Sequence, residues 1–270
     1  MDYGNIVLFT DLDGTLFDDQ KKVSQKNIDA ICHFVSRGGS FGISTGRGTA
    51  NAYRMLPQLP LNGWNVLFNG SAAYHFGKKK FGAMQCLDRG VVLPLLEWTL
   101  ENLPQINVLI STPESLLFVS DPAKADDHFV RTHQPMVNVD LSTAAKDPWL
   151  KVVLCAYDDS LEKVRLHAID TGTGAVIDCV YSWDYYLEFL PVGVNKGTCL
   201  RQLRTFDETA GKTIIAVGDY YNDLQLLQEA DIAVAVGNAL PEIKAISDYV
   251  ICSNNEDALA YLIYELIPQL

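Results

Sequence analysis

Two aspartates stand two positions apart in D11-L-D-G-T-L16, directly after the apolar run N5-I-V-L-F-T10. Side chains two apart on an extended segment share a face, so Asp11 and Asp13 can point into one site. A carboxylate can attack phosphorus as a nucleophile and form an acyl phosphate. A second carboxyl beside it can act as general acid and then as general base. Gly14 permits the sharp turn by which the chain leaves the strand.

Three further runs carry the same kind of chemistry. In I43-S-T-G-R47 a hydroxyl, a glycine and a helix start beside a sheet edge make an anion site from backbone N–H groups and Thr45. Taken alone, a Ser/Thr-Gly step before a helix is more often just a cap. V194-N-K-G-T198 puts Lys196 at a helix N-terminus, where the dipole favours anions. A bound anion would offset that mismatch, although a lone lysine is usually solvated surface. V217-G-D-Y-Y-N-D223 brings Asp219 to the rim that Asp11 occupies, with Asn222 and Asp223 in the next helical turn. Oxygen-only donors with retained water suit Mg²⁺ rather than zinc or copper.

The elements that must position these residues are legible in the apolar periodicity. N5–T10, S40–S44 and W64–F68 read as buried parallel strands, with a Ser24-capped helix ending at Gly38 and a short helix near Ala50 between them. The rhythm returns after 187. A helix over 196–206, strands at 213–217, 231–236 and 249–251, and helices from Tyr221, after Pro241 and from Asp257 complete it. The middle differs. It holds a hairpin over 73–84, helices near 91–103, 121–132 and 160–169, and strands near 106–110, 116–119, 150–157 and 175–181. This predicts an α/β chain: a Rossmann-like parallel sheet core from 1–81 and 188–270, with an α+β insert over 82–187. All four chemical runs then fall at strand ends or helix starts of one sheet, where open α/β sheets bind ligands.

The set D11-L-D-G-T-L, T45-G-R, K196-G and G218-D-Y-Y-N-D resembles the haloacid dehalogenase-like hydrolases, and more narrowly their Cof-type phosphatases. N69-G70, G237-N-A239 and L187-E-F-L-P-V-G-V-N-K-G197 match that subfamily as well. The likeness covers both core halves. The insert matches in position and size, like the large cap of that group. The resemblance implies Asp11 as nucleophile and Asp13 as acid/base. It implies Mg²⁺ on the carboxylates of Asp11 and Asp219 and the backbone carbonyl of Asp13. Thr45, Lys196 and Asn222, with the backbone of Leu12 and Gly46, would grip the phosphoryl oxygens. Asp223 would orient Lys196 or a metal-bound water. Tyr220 is larger than the family's usual residue, so its ring would narrow the site, and Ala258 stands where Gly is common.

Composition bounds the partners. The chain has 270 residues, 48% of them hydrophobic and 20% charged, which is ordinary globular usage. A net charge of −12 disfavours a nucleic-acid partner and leaves a small anion held by a local cation or metal. The longest nearly unbroken apolar stretch, V91-V-L-P-L-L96, is far short of the roughly 20 residues of a membrane span. The N-terminus lacks the basic region of a signal peptide. Cys32, Cys86, Cys155, Cys179, Cys199 and Cys252 show neither close pairing nor zinc spacing, which fits reduced thiols and a cytoplasmic protein. His33, His75, His128, His133 and His167 read as surface or core, K78-K-K80 as a solvated hairpin tip, and T171-G-T-G174 as a turn. Y181-S-W-D-Y-Y186 reads as packing rather than a substrate contact.

The expectation is a Mg²⁺-dependent phosphatase of small phosphorylated metabolites, a sugar phosphate or a phosphorylated cofactor precursor, whose cap closes over the site. It would be a monomer or a small homo-oligomer. The competing expectations are a phosphotransferase or phosphomutase, shown by transfer rather than phosphate release, and a non-catalytic metabolite-binding protein. The latter has no need of Asp13.

Overall fold

The computed structural model describes residues 2–125 and 135–270. Its backbone falls into two compact units: 1–47, 55–83 and 195–270 form one, and 48–54 and 84–194 the other.

The first unit is built on a five-stranded sheet in which every neighbouring pair is parallel. Its spatial order is Tyr249–Val250, Ile232–Ala235, Thr213–Gly218, Ile6–Thr10 and Ser40–Ile43. The strand Ile6–Thr10 is flanked on both sides, with Thr10 opposite Val217 and Ile43. Val7, Leu8 and Phe9 are almost wholly buried, as befits a strand covered on both faces. The helix Gln25–Ser36 starts where Ser24 Oγ accepts from the Asn27 N–H at 3.2 Å. Its buried stripe is Asn27, Ala30, Ile31 and Phe34, one face at helical spacing.

The expected third strand departs from that sheet. Asn65–Leu67 meets it at a single bridge, Ser44 to Val66, and pairs instead with Ala72–His75 in a separate sheet completed by Lys80–Met84. Asparagine side chains explain the departure. Asn62 Oδ1 accepts from the Phe41 N–H at 2.8 Å and Asn65 Oδ1 from the Ile43 N–H at 2.9 Å. Two donors of the edge strand are thus taken by side chains, and no full ladder forms. The last helix also differs. An α-turn over Ala258–Tyr261 passes into a π-helical turn over Leu262–Leu266 and a 3₁₀ turn over Ile267–Gln269. Pro268 accounts for this, because its ring crowds the carbonyl four residues back and it has no N–H to donate.

The second unit carries a six-stranded sheet in the order Ile177–Trp183, Tyr186–Pro191, Lys151–Cys155, Asn107–Ser111, Leu116–Phe118 and Val137–Asn138. The pairs are antiparallel except the last. The helices Arg89–Asn102 and Ser160–Asp170 pack Leu95, Leu96, Val164 and Ala168 with Val108, Val152, Leu154 and Phe189 into one core. The strand Tyr186–Pro191 and the short Val137–Asn138 strand are additions to the sequence reading. Of the helix expected over 121–132, Pro122–Lys124 forms a single 3₁₀ turn, and the rest lies outside the described residues, as do His128 and His133. Among the described residues no helix is long and apolar enough to cross a membrane. All six cysteines are free.

Candidate active site

The parallel registers bring Asp11, Thr45 and Asp219 to the same C-terminal edge of the first unit's sheet. Asp11 continues the ladder, its N–H donating to the Val217 carbonyl at 3.0 Å. The chain then turns tightly, with the Phe17 N–H on the Leu12 carbonyl at 2.8 Å. Leu12 itself is fully buried and anchors the turn. Gly14 sits at φ 83, and a Cβ there would lie 2.5 Å from Asp219 Oδ2. A glycine is needed at this point for backbone and packing reasons together.

Lys196 is wholly buried, and its Nζ donates to Asp11 Oδ1 and to Asp223 Oδ1, each at 2.6 Å. It is the first residue of the helix Lys196–Leu203, which Asn195 caps: Asn195 Oδ1 accepts from the Thr198 N–H at 2.9 Å, and Thr198 Oγ1 from the Asn195 N–H at 3.0 Å. Gly70 allows that cap to approach, because a side chain at its φ of 104 would land on the Asn195 carbonyl. Asp223 Oδ2 accepts from the backbone N–H of Asp219 at 3.1 Å and of Tyr220 at 3.3 Å. Thr15 Oγ1 donates to Asp219 Oδ1 at 2.7 Å.

Asp11, Asp219 and Asp223 each offer a carboxylate oxygen, all within 4.8 Å of one another. This is the set of His, Cys, Asp and Glu side chains among the described residues that could hold a metal ion. Three carboxylates face one ammonium. Burial raises the Asp11 carboxyl, Asp223 and Asp219 raise it further, and Lys196 works the other way. Burial alone would lower the Lys196 ammonium, but Asp11 and Asp223 raise it, so it stays protonated. Asp219 is pushed up to about 6, mainly by burial and then by Asp223. An oxygen-only pocket short of positive charge fits a hard divalent cation.

Asp13 belongs to a different cluster. Arg47 grips it as a fork, Nε to Oδ2 at 3.0 Å and Nη2 to both oxygens at 2.9 Å. Lys21 Nζ reaches Oδ1 at 2.8 Å. Burial works against ionisation here, but Arg47 and then Lys21 hold the Asp13 carboxyl below its ordinary range. Thr45 is buried, and its Oγ1 accepts from the Arg47 N–H at 3.3 Å. Asn69 links two other expected residues: its N–H donates to the Thr45 carbonyl at 3.1 Å, and its Oδ1 accepts from Asn222 Nδ2 at 3.4 Å. Gly46 packs against the same Asn69 amide, since a Cβ on it would lie 2.9 Å from Oδ1.

The structure therefore brings Asp11, Lys196, Asp219 and Asp223 together, joins Thr45, Gly46 and Asn222 through Asn69, and turns the Asp13 carboxylate towards Arg47 and Lys21. Asp223 both holds Lys196 and lies within metal-ligand reach of the other two carboxylates. Sequence reading gave no role to Thr15, Arg47, Asn69 or Lys21. The first three lie inside or beside the motifs it used; Lys21 sits in the plain polar run D18-D-Q-K-K22. The ring of Tyr220 is half-exposed and meets Tyr221 edge-on, with 5.3 Å between centroids. The hairpin lysines Lys78, Lys79 and Lys80 are all exposed at the hairpin tip, as expected. Lys78 pairs with Glu208, and the Nζ atoms of Lys78 and Lys80 lie 5.8 and 5.7 Å from the centre of the Trp64 ring.

A sequence model of the haloacid dehalogenase-like hydrolases matches residues 8–263. The chain belongs to this family. It is 26% identical over 94% of its length to the 5-amino-6-(5-phospho-D-ribitylamino)uracil phosphatase YitU of Bacillus subtilis, covering 95% of that protein. A chloroplastic endoribonuclease YBEY of Arabidopsis thaliana is also 26% identical, over 95% of this chain. The chain spans only 46% of that plant protein. The fold is that of a haloacid dehalogenase-like hydrolase from Bacteroides thetaiotaomicron, with a TM-score of 0.82 and 25% identity over 95% of this chain and 97% of that one. As a haloacid dehalogenase-like hydrolase with phosphatases among its full-length relatives, the chain is a phosphatase.

Proposed function

We propose that this haloacid dehalogenase-like phosphatase hydrolyses small phosphorylated metabolites, sugar phosphates or phosphorylated cofactor precursors, with Mg²⁺ and through an aspartyl-phosphate on Asp11. The observation that carries the proposal is the set in which the buried Asp11 and Asp223 share the single ammonium of Lys196, with the carboxylate of Asp219 within 4.8 Å of both. Asp11, Asp219 and the backbone carbonyl of Asp13 would hold the ion, with Asp223 beside them. When bound, the ion offsets the charge of Asp11 against that of the phosphoryl group.

The chain's own groups then divide the work. Lys196 steadies Asp11 and meets the phosphoryl oxygens, joined by Thr45, Asn222 and the backbone of Leu12 and Gly46. A carboxylate oxygen of Asp11 bonds to phosphorus as the ester P–O bond breaks, and Asp13, ionised in the resting site, gives the leaving oxygen a proton that it has first taken up from solvent. Asp13 then takes a proton from a water whose oxygen attacks phosphorus. The P–O bond to Asp11 breaks, and inorganic phosphate leaves. Arg47 aims Asp13 for both transfers.

The inserted 82–187 segment is proposed as the substrate-specificity domain. The ribityl phosphate ester named for the Bacillus subtilis relative supports a substrate of this size. The net charge of −12 supports a small molecule over a nucleic acid, and six free cysteines support a cytoplasmic setting. The test is phosphate release from a panel of sugar phosphates, nucleotides and phosphorylated cofactors. Release with Mg²⁺ that disappears in EDTA and in Asp11→Asn is expected. Release that persists in either would overturn the mechanism.

A further inference from the structure

We propose that Lys21 is a positioning residue for Asp13, delivered by a strained turn that three asparagines brace. This rests on the acid–base role proposed above for Asp13.

Lys21 approaches Asp13 from the turn Asp18–Lys22. Asp18 builds that turn: its Oδ1 accepts from the N–H groups of Gln20 and Lys22, each at 2.9 Å, and its own N–H donates to the Lys22 carbonyl at 2.9 Å. The geometry leaves Lys21 at φ 60, a left-handed conformation that a lysine rarely adopts. Such a conformation persists only where the surroundings over-determine it.

The surroundings do so here. The buried Asn254 donates through Nδ2 to the Phe17 carbonyl at 3.0 Å and to Asp19 Oδ1 at 3.3 Å. Asn255 Oδ1 accepts from the Asp19 N–H at 3.1 Å. Asn238 Oδ1 accepts from the Asn254 N–H at 2.9 Å, while its Nδ2 donates to the Gly14 carbonyl at 2.7 Å. Asn238 and Asn254 thus fix the chain at Gly14 and at Phe17–Asp19, between Asp13 and Lys21.

Stability does not explain this construction. The Lys21 and Asp13 side chains are 58% and 37% exposed, and ion pairs so open to water contribute little to folding. What the turn does achieve is direction. Arg47 holds the Asp13 carboxylate as a fork, and Lys21 adds a second donor on Oδ1, which limits rotation of the carboxylate.

The test uses two esters with Mg²⁺: a sugar phosphate that the enzyme hydrolyses, and p-nitrophenyl phosphate, whose leaving group departs without a proton. kcat/KM covers the steps through leaving-group departure, so later hydrolysis of the phosphoenzyme does not enter it. Lys21→Met is expected to lower kcat/KM about tenfold on the sugar phosphate, a part of the 10²–10⁴ that a placed acid supplies, and to stay within about twofold on the aryl ester. Lys21→Arg should restore most of the loss, and Asn254→Ala should shift the ratio of the two esters the same way by less. An equal loss on both esters would make Lys21 a phosphate-gripping residue and overturn the proposal; so would no loss on either. Asp13→Asn is measured alongside. If that variant hydrolyses the sugar phosphate like the wild type, the acid–base reading itself falls. If it is inactive while Lys21→Met matches the wild type, only the Lys21 inference falls.

Discussion

Two charged clusters lie at the end of the same sheet and are built in opposite senses. Around Lys196, two buried carboxylates share one cation, and a third, partly buried, lies within 4.8 Å of both. Around Asp13, two cations share one carboxylate partly open to water. In the dry cluster an unbalanced charge is costly, so the excess of negative charge amounts to a demand for a further cation. In the wet cluster charge is cheap, and the pairing sets direction rather than stability. On the proposed mechanism, ion binding and proton transfer would fall to separate clusters.

Removing the central cation should break the first cluster most severely. Lys196→Met leaves Asp11 and Asp223 facing each other without their shared ammonium. Breaking a buried pair from one side typically costs about 3–5 kcal/mol, so urea unfolding at pH 7 should show a loss of that order, with phosphate release abolished. Unchanged stability would mean that the buried carboxylates are neutral in the folded protein.

The second cluster should respond in the other currency. Asp13→Asn is expected to lower kcat on a sugar phosphate by roughly 10²–10⁴, the usual worth of a general acid–base. Its unfolding free energy should fall by about 1 kcal/mol or less, since the pairs it makes are partly open to water. A large stability loss would show that the Arg47–Asp13–Lys21 set is structural and would erase the contrast between the clusters.

The first cluster was largely legible in the sequence, and of the second only Asp13 was. Asp11, Lys196, Asp219 and Asp223 each follow a strand or open a helix, so parallel topology alone converges them. Arg47 and Lys21 reach Asp13 by long side chains from loops, and no periodicity encodes that reach. Lys21 depends on Asn238 and Asn254, more than 200 positions further along the chain. The asparagines that split the third strand from the main sheet escaped for the same reason. Asn62 and Asn65 replace main-chain partners with side-chain oxygens, which a strand pattern does not reveal.

The finest distinction between the clusters lies in pH. Asp219, raised to about 6 from 3.8, binds its proton more tightly in the folded protein than in the unfolded chain. Its contribution to stability is therefore fully present below 3.8 and is lost as pH rises through about 6. The raised Asp11 carboxyl acts in the same sense. Asp13 is lowered, so its contribution is lost only as pH falls below the ordinary carboxylate range, outside this window. A divalent cation takes the deprotonated oxygens and so competes with the proton. Thermal unfolding with Mg²⁺ and with EDTA should thus separate the midpoints more at pH 7 than at pH 5, and Asp219→Asn should shrink the difference between the two pH values. A Mg²⁺ shift that is equal at both pH values, or larger at pH 5, would place the ion away from this buried set of carboxylates.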